Sequence, residues 1–501
     1  MNTICPKLNR FQIQKILLSK LRTALACAKE FGIIVLLLMV FGCTTTEEQS
    51  YSIENTNIFY VSPNGNDAND GLSPDTAWQT STKVNSEDFL PGYTILFDGG
   101  HTYQSIAFDA NDGGDSNNRI TISSYGEGVA VFEGMDFVNT SGFNVTDVDV
   151  VIPQVSEGEF PRNGVNLYST LDGATKLQGF QFSNLNVSGA YGGIAIEGVN
   201  DTSGFSDVSI LNCTIFDCMD SGILSKGYFN QNKAGYSHEH IYVQGCTVYN
   251  ISGWDNQWSH SGNGIVLSDV QFSSISNCVV YDSGYNNTHC GGNCGIWYWD
   301  AKDVAIEYCE AYNIQTQGCD AAGFDLDGGV VNGIMQYNYS HDNHGAGFQV
   351  GQFSGARPLS NITVRYNISD NDANGYSGSL FLFNMSSKNS VSDIFFYNNT
   401  VVQDNKLAFK TINSWDPDVV YVKNNILSGG VNCDDNISFQ GNYYENPNLV
   451  NYKLESSSPL IDAGVNLDYN IGDYDYFGNT SLSGESQDIG AHEFNNTLSI
   501  D

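Results

Sequence analysis

The 501-residue sequence predicts an all-β protein wound as a parallel β-solenoid, on three observations. The first is composition: 52 Gly, 28 Tyr and 28 Phe, with abundant Asn and Ser. Aromatic side chains favour strands, and Gly, Asn and Ser favour turns. The second is an internal repeat. The pieces "ILNCTIF", "VQGCTVY", "ISNCVVY", "IEYCEAY", "MQYNYSH", "VRYNISD", "FYNNTVV" and "VKNNILS" align on Cys213, Cys246, Cys278, Cys309, Asn338, Asn367, Asn399 and Asn425. The steps between them are 33, 32, 31, 29, 29, 32 and 26 residues, and each piece alternates apolar with polar as a strand does. The third is a second register of Gly-apolar pairs: Gly193-Ile194, Gly222-Ile223, Gly264-Ile265, Gly295-Ile296, Gly323-Phe324 and Gly347-Phe348.

Two strands per period of about thirty residues describe stacked coils, none able to bury its inner face alone. Stacking places equivalent side chains above one another, roughly 4.8 Å apart. The Cys213–Cys246–Cys278–Cys309 column is then an interior thiol ladder, continued by Asn338, Asn367, Asn399 and Asn425. These thiols are read as packing groups.

The chain also resembles a family at both ends. "FYVSPNGNDANDGLSPDTAWQT" (59–80) and "LPGYTILFDGGHTYQ" (90–104) resemble the opening of bacterial secreted members of the pectate-lyase-like superfamily. "SSPLIDAG" (457–464) and "QDIGAHEF" (487–494) resemble their close. The resemblance implies a right-handed parallel β-helix over 59–445 with a closing segment at 446–501. It implies action on polysaccharides, as lyase, hydrolase, epimerase or binding protein, without choosing among them.

Residues 1–42 read as an export signal. They combine a basic start with the apolar run "FGIIVLLLMVF", too short for a confident span. "VFGC" (40–43) resembles a bacterial lipobox, so Cys43 is the expected lipidation site and 43–58 a tether. The expected location is the outer membrane or periplasm, held by a lipid anchor. The signal carries six of the 20 Lys and Arg and one of the 56 acids, so the remainder has 14 bases against 55 acids. Such a surface excludes nucleic acid, whose phosphates need basic partners. A monomer is expected. Beyond Cys43 nine cysteines remain, an odd number, and Cys290 and Cys294 in "CGGNC" are placed to close a small disulfide loop.

The solenoid register selects the candidate site. From the apolar residue of each Gly-apolar pair, alternation sends the first and third residues inward and the second and fourth outward. The second-position column reads Ala195, Leu224, Val266, Trp297, Asp325, Gln349. The fourth reads Glu197, Lys226, Ser268, Trp299, Asp327, Gly351. Trp297 and Trp299 are expected on an open outer wall as a sugar platform, beside Asp325 and Asp327. Turns before the strands add His260, Asp320 and His344. "HEH" at 238–240 is a weaker metal candidate, read instead as a strand entrance.

Three functions fit these residues. The first is β-elimination from a uronate-containing poly- or oligosaccharide of ulvan or alginate type, with loss of a glycosidic oxygen or of water. Lys226, His260 and His344 would serve as base or acid, and Asp320, Asp325 and Asp327 would hold Ca²⁺ against the substrate carboxylate. Lyases of similar fold pair a Lys with an Arg, and no Arg occupies the matching region here. The second is inverting glycoside hydrolysis by paired Asp325 and Asp327. The third is a surface protein that only binds an acidic glycan.

Overall fold

A computed structural model describes residues 57–495 except 157, 256–258, 376 and 387–389. The signal, the lipidation candidate Cys43 and most of the tether lie outside the described residues. Three ladders of parallel strands run from Ile58–Val61 to Ser438–Gln440. Every pairing between named strands is parallel, and each joins one coil to the next. Gly192–Gly198 pairs with Ser221–Lys226, then Asn263–Ser276, Cys294–Glu307, Ala322–Leu326, Phe348–Gln352 and Leu380–Asn384. Among the described residues, helix is confined to two short turns, Pro74–Thr76 and Ser81–Val84. No described helix is long and apolar enough to cross a membrane.

The interior follows the expected columns. Ile194, Ile223, Ile265, Ile296, Phe324 and Phe348 stack in register and are fully buried. Cys213, Cys246, Cys278 and Cys309 form a buried thiol column. The asparagines continue it: the backbone N–H of Cys309 donates to Asn338 Oδ1 at 3.0 Å, and that of Asn338 to Asn367 Oδ1 at 3.0 Å.

Each ladder residue sits just after a tight corner. The preceding positions Asn212, Gly245, Asn277, Tyr308, Tyr337, Tyr366, Asn398 and Asn424 all have positive φ. Asn and Gly accept that conformation readily, whereas Tyr does not. Ring stacking offsets the strain at the tyrosines: Tyr308–Tyr337 centroids lie 4.9 Å apart and Tyr337–Tyr366 6.0 Å. The segment after Gln440 docks beside this corner column. Tyr337 donates to Tyr474 O at 3.0 Å, Arg365 to Asn470 O at 2.8 Å, and Gln487 to the Tyr366 hydroxyl at 2.8 Å.

The disulfide differs from the small loop expected. Cys290 bonds Cys319 on the next coil, their Cα atoms 4.5 Å apart, and Cys294 is a buried free thiol. The two cysteines are 29 residues apart, one coil in this region, so the stacking itself brings them together.

Candidate functional site

The second-position column is continuous in the strand register from Ala195 to Gln349 and extends to Phe381. It points away from the solenoid interior as expected, yet every member is buried. The wall is therefore covered, and a second apolar cluster has formed on it, including Leu224, Val266, Trp297, Phe381 and Phe383. Trp297 is only 3% exposed, and its Nε1 donates to Asn263 Oδ1 at 3.2 Å. It is mostly packed and not on the open wall expected, although its edge contributes to the lining of a cleft. Trp299, two residues on, is half-buried and faces a cleft of about 560 Å³.

The cleft has an aromatic wall of Trp299, Phe353, Phe381 and Phe383, with the carboxyls of Asp320 and Asp327 in its lining. Strands carry Trp299, Phe381 and Phe383, and two loops pack against that wall. Phe229, after the Ser221–Lys226 strand, packs on Trp299 with centroids 5.5 Å apart, and Phe353, after Phe348–Gln352, lies 6.2 Å from Trp299. Buried ion pairs fasten the loops behind them. Lys233 contacts Asp269, and Arg357 Nε lies 2.8 Å from Asp300 Oδ1. Burial raises Asp300 to about 6 against the opposing pull of Arg357.

The three aspartates occupy different depths. Asp325 is 2% exposed and does not line the cleft; Gln349 Nε2 donates to its Oδ2 at 3.1 Å. Burial, then Asp327 and Asp320, push Asp325 well above the usual carboxylate value, favouring its protonated form. Asp327 lies at the cleft surface, where the Gly328 N–H donates to its Oδ1 at 2.7 Å. Burial and the nearby Asp320 raise Asp327 to about 7, against that hydrogen bond. Gly351 leaves the space for it: a Cβ there would meet the Phe383 ring and approach Asp327 Oδ1 to 2.8 Å. Asp320 follows the half-cystine Cys319, and both Asp320 and Ala321 have positive φ, at 67° and 61°. Strain of this kind at non-Gly residues persists where the surroundings hold it, here beside a disulfide to the next coil.

His260 also lines the cleft, its ring edge-on to Trp297 at 5.0 Å. Its hydrogen-bond role follows from its neighbours. The Trp297 indole only donates, so Asn263 presents its oxygen to Trp297 and its amide nitrogen to His260 Nδ1, 3.1 Å away. Nδ1 then accepts, and Nε2 carries the hydrogen. Burial and the neighbouring His289 lower His260 to about 4, so at neutral pH it is an uncharged donor and not a proton acceptor at Nε2.

The remaining candidates lie elsewhere. Lys226 is half exposed in a second cleft, ion-paired to Glu197 at 3.2 Å. His344 does not line the acidic cleft; its backbone N–H donates to Ile314 O at 2.9 Å and its ring packs beside Gly375. His238 is buried and its Nε2 meets Lys226 O at 2.9 Å, while His240 has positive φ, so the two do not form a metal pair on one strand face. Among the described residues no three His, Cys, Asp or Glu side chains are arranged to hold a metal ion. Asp320, Asp325 and Asp327 therefore do not fit the calcium expected of them. Phe381, Phe383 and Ile412 are not selected by the sequence pattern because their coils, "SGSLFLFN" and "KLAFKTI", lack the Gly-apolar pair, and Phe353 and Met385 lie beyond the fourth position of their strands. The signal was there in spacing, since Leu380 follows Phe348 by 32 residues.

Fold and site together define a parallel β-solenoid whose covered outer wall opens into an acid-and-aromatic cleft. No family model matches the chain. It is 24% identical over 568 residues to a lacto-N-biosidase of Bifidobacterium longum subsp. longum, covering 89% of this chain and 34% of that protein. The chain thus spans about a third of the length of that relative. Among solved structures, it resembles a GH136 lacto-N-biosidase from Eubacterium ramulus (17% identity, 76% of this chain and 68% of that one, TM-score 0.42). It also resembles the pectate lyase Pel9A (16% identity, 87% and 96%, TM-score 0.43).

Proposed function

We propose that the chain is a glycoside hydrolase acting on a neutral oligosaccharide through Asp320 and Asp327. The observation that carries this is the pairing of two carboxyls in one aromatic cleft, one of them holding its proton up to about pH 7. Asp327 delivers that proton to the glycosidic oxygen as the bond to the anomeric carbon breaks. Asp320, as carboxylate, attacks that carbon directly or takes a proton from the water that does. Trp299 and the phenylalanines stack on apolar sugar faces, and His260 Nε2–H donates to a sugar oxygen. Asp325, behind the cleft and pushed upward by burial, is not part of the reacting pair.

Elimination from a uronate is less well supported. It requires the substrate carboxylate to be neutralised, and neither Lys nor Arg is among the described residues lining this cleft. A neutral sugar suits the acids and rings better, and the lacto-N-biosidase relative supports that reading. The lipobox-like "VFGC" adds export and a lipid anchor to the proposal; Cys43→Ser should release the protein from membranes.

The deciding experiment incubates the protein with neutral oligosaccharides, p-nitrophenyl lacto-N-bioside among them, and with alginate, ulvan and pectin fragments. New reducing ends or nitrophenol without ultraviolet absorbance from an unsaturated uronate support hydrolysis. That absorbance on uronate substrates overturns it in favour of elimination.

A further inference from the structure

A second cleft of about 520 Å³ adjoins the first, and His260 and Trp299 line both. Its character is different. Asn163, Tyr191, Glu197, Lys226 and Ser268 give it a polar lining where the first is largely aromatic. It lies toward the N-terminal coils: its floor steps from Glu197 to Lys226, then past Ser268 to Trp299. Three steps of a parallel ladder span about 14 Å, longer than one sugar ring.

We propose that this polar chamber is the second half of a single substrate groove and binds the extension of a neutral glycan beyond the bond that is cut. The inference rests on the hydrolase reading and adds to it a binding site and its ligand class. Two features favour a neutral, hydroxyl-rich ligand. Both cations present are already matched: Lys226 lies 3.2 Å from Glu197, and Arg162 pairs with Asp136 while donating to Ser105 at 2.8 Å. What is left facing the space is hydrogen-bonding capacity: the half-exposed Lys226 ammonium and the Glu197 carboxylate, which Asn163 Nδ2 also approaches at 3.2 Å. The rim supplies a stacking surface. Phe160 is 55% exposed with its ring 5.8 Å from Tyr191, which itself lines the chamber. A polar floor with aromatic edges matches the two faces of a sugar ring, its hydroxyls and its C–H groups.

The test measures chain-length dependence in two ways. In turnover, Glu197→Gln and Asn163→Ala should lower kcat/KM for lacto-N-tetraose at least tenfold relative to p-nitrophenyl lacto-N-bioside. Equal effects on both substrates would overturn the proposal. In binding, calorimetric titration of the parent protein with galactan, xylan, chitin and lacto-N oligosaccharides, from disaccharide to hexasaccharide, should show affinity rising with length for at least one series. Glu197→Gln should flatten that rise. An affinity independent of length in every series sinks the chamber, even if the short glycoside is hydrolysed. If no glycoside is hydrolysed but the rise and its loss are seen, the hydrolase reading falls and the chamber stands.

Discussion

Two stacks of buried polar side chains run along this solenoid, and they are finished differently. Inside, Asn338, Asn367, Asn399 and Asn425 satisfy one another. Asn367 Nδ2 donates to Asn399 Oδ1 at 3.0 Å and to Met335 O at 2.9 Å, and its own Oδ1 accepts from Asn338 at 3.1 Å. The pattern repeats at Asn399 and ends on Asn442 below Asn425. On the outer wall, the stack reaching Asp325 and Gln349 leaves both Asp325 Oδ1 and Gln349 Oε1 buried without a hydrogen-bond partner. Carboxyls crowd where amides would have paired. A buried polar column that closes on itself is structure. One that keeps open acceptors and raised carboxyls departs from what stability alone favours, and such departures gather at functional sites.

Substitution tests that contrast. The largest effect is expected at the cleft: Asp327→Asn and Asp320→Asn should each cut kcat by a factor on the order of 10²–10⁴, the loss typical of a proton-transfer group. The melting temperature should not fall at Asp327→Asn. Asp325→Asn, behind the surface, should change turnover by no more than a few-fold. A loss there equal to that of Asp327 would move the chemistry to the buried carboxyl.

Asn367→Ala should do the reverse. It strands the Asn338 backbone N–H, which donates to Asn367 Oδ1, while Asn399 Oδ1 keeps the Asn367 backbone N–H; the cost is about 1–3 kcal/mol for the buried group left unpaired. A chemical-denaturation midpoint well below the parent's, with kcat intact in the folded protein, is the expected result. An unchanged midpoint would mean the ladder contributes no stability.

The third test is pH. Asp327 holds its proton below about 7 and releases it as the pH rises through that value. Hydrolysis should therefore decline on the alkaline side near 7. A profile flat from pH 6 to 9 would remove Asp327 as the acid.

The smallest effect is on stability. Burial raises Asp300 and Asp372 to about 6, and Asp327 and Glu493 to about 7. Unfolded carboxyls release their protons near 4. Between those values the native state binds more protons, so stability falls as the pH rises and levels off above about 7. His238 and His260, lowered by burial to about 4, act oppositely and lose stability as the pH drops below 6.5. The carboxyls outnumber them, so the melting temperature should be higher at about pH 5 than at about pH 8.

Periodicity made the coil legible before any coordinates, because stacking forces the same side-chain type to the same place on every turn. That alone put Phe324 and Leu326 inside, aligned Trp297 with Asp325, and built the thiol and asparagine columns. It could not tell an outward residue from an exposed one. Whether Trp297 or Asp325 meets water depends on loops such as 227–237 and 353–358, which follow no repeat and are fastened by Lys233–Asp269 and Arg357–Asp300. For the same reason spacing along the chain points from Cys290 to its sequence neighbour Cys294, whereas stacking joins it to Cys319 one coil on. Sequence determined the register and the identity of the acids. Tertiary structure decided their depth, and depth separates Asp325, fully buried and pushed well above the usual carboxylate value, from Asp327, poised near neutrality at the cleft, since desolvation is what moves a carboxyl's proton affinity most.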